Sequence, residues 1–321
     1  MKNRIWIYLL VLLLTFLLII LFNRLAKPDF ENPAQNPYDL SLDSLAQIPP
    51  ELYLPLDYSY IDLPLPQAKA LATDSAGNLL VAGQQSILVL TCEGKELLRF
   101  NTPQTATALA VDHQQRIYCA LENHLVLYSM QGDLLKTFPE LHPGAYITSI
   151  AYSPGRIYLA EAVKGDVYEF TGDGEFVKSY GKGRDKTAPD FLNIPSLYFD
   201  LAIGPDNSLW VTNTGKHKLV NFHADGSLRS YWGVTSAAPE GFCGCCNPTH
   251  IVLMEDGSFI TAEKGIVRIK KYNYGGGFIG VLAGPERFGP KAVGLDLAKG
   301  PEEQIYVLEA ENNKIHCFRL K

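Results

Sequence analysis

The chain has 321 residues, with 28 Lys+Arg against 34 Asp+Glu and a formal net charge of −6. That acidic balance excludes a nucleic-acid binder held by a global positive field. Hydrophobic residues at 47% and charged residues at 19% exclude wholesale disorder. With 27 Gly, 20 Pro, 17 Tyr and 15 Phe, they describe a turn-rich, aromatic-rich β-protein, and three Met in all exclude a Met-lined groove.

Residues 5–22 (IWIYLLVLLLTFLLIILF) form one apolar run interrupted only by Thr15, with Lys2 and Arg4 before it and Arg24 and Lys27 after it. As a helix this run spans about 27 Å, close to the hydrocarbon thickness of a bilayer. No small-x-small cleavage site and no lipoprotein Cys follow it, so residues 1–27 are expected to be an uncleaved signal anchor. The leading Lys2 and Arg4 set the orientation, with everything after the helix extracytoplasmic. Residues 28–57 are Pro-dense without periodicity and are expected to be a linker.

From there the chain repeats. Five units begin at Leu71 (LATDSAGNLLVAG), Leu109 (LAVDHQQRIYCAL), Ile150 (IAYSPGRIYLAE), Leu201 (LAIGPDNSLWVTN) and Ile251 (IVLMEDGSFITAE), and a sixth starts at Leu295 (LDLAKGPEEQIYVLEA). Each holds short strands with period-2 alternation separated by polar or Gly-containing turns, at a spacing of roughly 40–50 residues. Four antiparallel strands at that spacing are propeller blades. The sixth unit lacks a fourth strand, and the strand-like residues 58–66 (YSYIDLPLP) are expected to supply it beside residues 315–320, closing the ring and removing two sheet edges. The predicted fold is therefore all-β, a six-bladed β-propeller of four-stranded antiparallel blades over residues 58–321.

The stretch NIPSLYFDLAIGPDNSLWVTNTGKHKLVNFHADGSL, residues 193–228, resembles the NHL-repeat family of β-propellers. The matching features are its proline, apolar strand, D-G-like turn, V-x-D/N, x-N-x-x-I/V and terminal D-G succession. FCGCCNPTHIVLMEDGSFITAEKGIVRIKKYN, residues 242–273, is similar to a bacterial NHL-like subgroup with a G-C-C-N-P-T element. The resemblance implies a propeller and no particular activity.

Within a blade, the start of the first strand and the end of the second share one mouth of the central channel. Aligned units place Gly83, Leu121, Glu161, Asn213, Glu263 and Glu309 just past the second strand, and Ala70, Ala108, Ser149, Asp200, His250 and Gly294 before the first. The polar members, Glu161, Asp200, Asn213, His250, Glu263 and Glu309, are the candidate binding residues. The acids either cap their own turns or converge on a hard cation such as Ca²⁺, which takes six to eight oxygens. Gluconolactonase-type propellers bind a metal in a comparable place, but here Gly83 and Leu121 stand where acids would be needed. The absence of a G-x-S-x-G motif leaves a serine hydrolase without support.

Of six cysteines, Cys119 aligns with Val81, Leu159, Val211 and Val307 and reads as a buried core thiol, while Cys92 and Cys317 fall near the ends of third strands. Cys243, Cys245 and Cys246 lie within four residues, with His250 four further on. Three accounts remain open: a disulfide to a distant Cys or within the loop, there best as Cys243 with Cys245 or Cys246; a thiolate-bound metal or iron–sulfur site including His250; or free thiols. Basic residues gather in GKGRDK (181–186), on a loop suited to an anionic partner, and in KGIVRIKKY (264–272), whose alternation reads as a solvated strand face. The expected function is a membrane-tethered extracytoplasmic, periplasmic binding or scaffold subunit serving other membrane or periplasmic proteins, with no nucleic acid. The alternatives are a redox or metal-dependent protein built on the cysteine cluster and a metal-dependent, lactonase-like hydrolase.

Overall fold

The computed structural model describes residues 13–18, 46–181 and 185–321 and divides the chain into an N-terminal unit, residues 1–44, and a propeller unit, residues 45–321. In the first, residues 13–18 are helical and exposed. The rest of the expected anchor, and most of the linker, lie outside the described residues. No helix among the described residues is long and apolar enough to cross a membrane.

The propeller unit holds six four-stranded antiparallel sheets. Blade one is β2 (Ala68–Thr73), β3 (Leu79–Gly83), β4 (Ser86–Leu90) and β5 (Glu96–Asn101); blade two is β6 (Ala108–Val111), β7 (Arg116–Leu121), β8 (His124–Ser129) and β9 (Leu134–Thr137). Blade three is β10 (Ile147–Ser153), β11 (Arg156–Glu161), β12 (Asp166–Thr171) and β13 (Phe176–Tyr180). Blade four is β14 (Leu201–Ile203), β15 (Leu209–Asn213), β16 (Lys218–Phe222) and β17 (Leu228–Trp232). Blade five is β18 (His250–Leu253), β19 (Phe259–Ala262), β20 (Ile269–Tyr272) and β21 (Phe278–Ala283). Blade six takes β22 (Asp296–Lys299), β23 (Gln304–Glu309) and β24 (Lys314–Leu320) from the end of the chain and its outer strand, β1 (Leu56–Asp62), from the beginning.

The expected ring closure is present. β1 pairs antiparallel with β24 from Leu56↔Leu320 to Asp62↔Lys314. Residues before the expected boundary at residue 58 already pack on the propeller. Tyr53 bridges to Val281, Leu54 N–H donates to Val281 O at 2.8 Å, and Leu54 and Leu56 pack on the core between blades five and six. Apolar side chains at these positions tie the end of the supposed linker to the ring.

Burial follows position in the blade. Second strands such as β3 and β15 are buried throughout, because neighbouring blades cover both faces, whereas the outer strand β9 is exposed along its whole length. The core is correspondingly divided into clusters, each shared by two adjacent blades: Leu80, Ile87, Ile117 and Val126 join blades one and two, and Trp210, Leu219, Phe259 and Tyr272 join blades four and five. The turn between the first two strands is set by its Asp. Asp74 Oδ1 accepts from Ala76 N–H and Asn78 N–H, and Asp112 Oδ1 accepts from Gln114 N–H and Arg116 N–H, an Asx turn that fixes the hairpin.

Candidate functional site at the channel mouth

Register identifies the equivalent positions around the channel. Leu71, Leu109, Ile150, Leu201, Ile251 and Leu297 pair with Val81, Cys119, Leu159, Val211, Thr261 and Val307. The residues just before them are Ala70, Ala108, Ser149, Asp200, His250 and Asp296. Asp296, not Gly294, therefore takes the blade-six position. Sequence alignment slipped by two residues because LDL offers two leucines on the same strand face, and a shift of two preserves the apolar pattern.

Half of this ring is small and half is ionisable. Asp200 Oδ1 accepts from Leu201 N–H at 2.8 Å and its Oδ2 from Ile251 N–H, in the next blade, at 2.7 Å. Asp296 repeats the arrangement, with Oδ1 on Leu297 N–H at 2.8 Å and Oδ2 on Leu71 N–H, across the closure, at 2.7 Å. His250 lies between them, its Nδ1 3.6 Å from Asp200 Oδ2 and 3.3 Å from Asp296 Oδ1, with 15% of its side chain exposed. Tyr198 meets the imidazole edge-on, and Lys264 Nζ lies 4.8 Å from the centre of the Tyr198 ring. Next to this cluster runs a channel cavity of about 310 Å³, lined by Asp200, Asp296, Leu71, Val111, Tyr152 and Leu253 among others.

Electrostatics couple the three groups. Burial raises the Asp296 carboxyl to about 6, with the charge of Asp200 adding to the rise and His250 opposing it. Burial on its own pushes the His250 imidazole down, but its contacts with Asp200 and Asp296 outweigh that and hold it above its ordinary value. His250 Nδ1 is buried without a hydrogen bond, its nearest acidic oxygens being those of Asp200 and Asp296, and a proton on Nδ1 leaves Nε2 as the acceptor of the neutral imidazole.

The other expected mouth residues are elsewhere occupied. Glu161 Oε1 accepts from Tyr146 N–H and Val163 N–H, its Oε2 from Lys164 N–H, and His142 Nε2 is 3.4 Å away. Asn213 accepts from Asn193 N–H and donates to Phe191 O. Glu309 accepts from Gly289 N–H and Asn312 Nδ2 and lies 2.9 Å from His316 Nε2. All three tie the loop before their own blade to the end of its second strand. Glu263 does the same through cations: it receives Arg268 Nε at 2.6 Å and Nη2 at 3.1 Å, and Lys270 Nζ lies 3.1 Å away. Arg268 Nη1 donates to Ala237 O at 3.1 Å, Lys270 Nζ to Gly241 O at 2.5 Å and Tyr272 OH to Glu240 O at 3.2 Å.

Three expectations are corrected by this arrangement. Among the described residues no group of three or more His, Cys, Asp or Glu is placed to hold a metal ion. Glu161, Asn213, Glu263 and Glu309 do not converge on a Ca²⁺ site, because each is spent on its own loop. Cys243, Cys245, Cys246 and His250 are likewise not gathered into such a group. The alternating basic residues of blade five are not a solvated face, since Arg268 and Lys270 are fully buried with Glu263. Alternation alone does not say which face is wet; the long loop over blade five covers this one.

All six cysteines are free thiols. Cys119 is buried as expected, and burial pushes its thiol up to about 12. The expected disulfide of Cys243 to a neighbour is absent: Cys243 Sγ faces Arg268 Nη2 at 3.7 Å, while Cys245 Sγ and Cys246 Sγ approach each other at 2.7 Å.

No protein-family model matches the chain, and no curated protein matches it by sequence. Solved structures do. A streptogramin B lyase superimposes with a TM-score of 0.57 at 13% identity, covering 83% of this chain and 98% of that one. A catalytically inactive His-to-Ala variant of virginiamycin B lyase from Staphylococcus aureus, with quinupristin, gives 0.57 at 15% identity over 83% and 100% of the two chains. A gluconolactonase from Xanthomonas campestris gives 0.61 at 14% identity over 84% and 91%. At these identities the likeness establishes the six-bladed propeller fold that the strand topology already shows.

Proposed function

We propose that this chain is a membrane-tethered extracytoplasmic propeller that binds a small polar molecule at the channel mouth and moves a proton on it through His250. The observation that carries this reading is the placement of one imidazole between Asp200 and Asp296, from three successive blades, beside a cavity of about 310 Å³. A histidine flanked by carboxylates that line the cavity is an arrangement suited to a general base. The lyases and the gluconolactonase that share the fold supply the class to test first: lactones and related small esters, opened by hydrolysis or by elimination. The NHL resemblance adds nothing to this choice of chemistry.

The test is turnover of a lactone and ester panel by the full-length protein. Activity is expected to rise with pH as His250 loses its proton, with a midpoint above the ordinary imidazole value. His250→Ala is expected to lower kcat by roughly 10²–10⁴. Asp296→Asn is expected to move the midpoint downward, because it removes one of the charges that hold the imidazole up. Full activity in His250→Ala would reject the reading. The tether has its own test: deleting residues 1–44 is expected to move the protein from the membrane fraction to the soluble fraction with its fold intact. A deleted protein that stays with the membrane would reject the anchor.

A second reading, docking of a membrane or periplasmic protein partner, is favoured by a different surface. Leu134, Leu135, Phe176 and Val177 are exposed on the outer strands of blades two and three, beside an apolar cleft of about 310 Å³ lined by Phe138, Leu141 and Phe170.

A further inference from the structure

The loop over blade five ends in Cys243-Gly244-Cys245-Cys246-Asn247, immediately before the strand that carries His250. Most of its polar groups have fixed partners. The buried Asn247 donates through Nδ2 to Cys243 O at 2.6 Å and to Lys264 O at 2.9 Å, and accepts from Lys264 N–H at 2.9 Å. His217 Nε2 lies 2.7 Å from Gly244 O. Cys243 is held back against Arg268.

What those contacts leave over is the pair of adjacent thiols. Consecutive Cα atoms are closer together than the usual partners of a disulfide, which argues against such a pair in an extended chain. Here Cys246 has φ +69°, in the left-handed region, and the turn it makes brings both sulfurs to one side. Their separation of 2.7 Å is well inside the contact distance of unbonded sulfurs and approaches the length of a bond, about 2.05 Å. Cys245 is exposed and Cys246 buried, so one sulfur is open to an incoming disulfide while the other waits behind it.

We infer that Cys245 and Cys246 form a vicinal disulfide, made by exchange with a small-molecule or protein disulfide. The Cys245 thiolate attacks the oxidant R–S–S–R and releases one RSH, leaving a mixed disulfide on Cys245. The Cys246 sulfur then attacks Cys245 Sγ and releases the second RSH; the two thiol protons leave with the two thiols, and the oxidant takes both electrons. The hydrogen bond to Cys246 holds the Cys245 thiol above its ordinary value, which keeps the pair protonated until an oxidant engages it. The inference stands apart from the acid–base reading of His250, since it concerns only the state of the loop.

The experiment equilibrates full-length protein with excess oxidised glutathione, alkylates it with iodoacetamide under denaturing conditions without reductant, and maps the peptides by mass. The peptide containing Cys243, Cys245 and Cys246 is expected to carry a single alkyl group, on Cys243, and to be lighter by two hydrogens. Reduction before alkylation is expected to restore three alkyl groups. Cys243→Ser should leave the mass deficit unchanged, and Cys245→Ser, at an exposed position, should abolish it. Alkylation of all three cysteines after oxidation, a stable glutathione adduct on Cys245, or loss of the deficit in Cys243→Ser would each overturn the assignment.

Discussion

Glu263→Gln is expected to cost the fold about 3–5 kcal/mol, the range for removing one partner from a buried ion cluster. Glu263, Arg268 and Lys270 all have fully buried side chains, and Glu263 is the only acid paired with either cation among the described residues. Gln keeps the size and an acceptor oxygen but leaves two buried positive charges uncompensated. The loss should depend on pH. Burial lowers Lys270 to about 8, against an ordinary value near 10.5, so between those values the unfolded chain binds the extra proton and stability rises with pH. Without Glu263, which favours the charged lysine, the depression deepens, and the deficit of the variant should shrink as pH is raised from 7 toward 9. Urea unfolding at several pH values measures it. Lys270→Met, which leaves the Arg268–Glu263 pair intact and neutral, should be milder than Glu263→Gln. Equal midpoints for Glu263→Gln and the parent would mean that water reaches the cluster.

A chain that begins at Lys69 should fail to form a stable ring, whereas one that begins at Leu45 should fold like the whole propeller. Starting at Lys69 removes β1 and with it the entire ladder to β24, from Leu56↔Leu320 to Asp62↔Lys314. It also removes Leu63 and Leu65, buried in the core between blades six and one. β24 would become a raw edge bearing Ile315 and Phe318, with unpaired backbone groups that invite association with other copies. Aggregation or early melting of the shorter form, read by light scattering during a thermal scan, is the expected result. Equal melting of the two forms would show that blade six stands on three strands.

The repeats made the fold legible because each blade writes the same apolar strand, polar turn and apolar strand into the chain, and six copies reinforce one another. Ring closure was legible from a missing strand at one end and a surplus one at the other. The site was only partly so. Asp200 and His250 follow from alignment, but Asp296 was hidden by the two-residue ambiguity of LDL. The acids after the second strand carry no local mark that separates a loop staple from a ligand; only the hydrogen bonds of Glu161 and Glu309 to distant N–H groups decide it. The basic alternation from Arg268 to Tyr272 misled for a related reason. Its burial is imposed by residues 237–241, distant in sequence, whose carbonyls need donors.

The composite sixth blade also sets an order of events during synthesis. β1 emerges first among the propeller strands, yet its partner β24 is the last of them to be made. Until then β1 carries an open hydrogen-bonding edge and a half-apolar face, while blades one to five have all their own strands at hand. A second nascent chain with a finished β24 offers the same ladder, so crowding on one message would favour exchanged dimers over closed rings. Translation speed over the final blade, rather than over the blades before it, would then govern the yield of monomer.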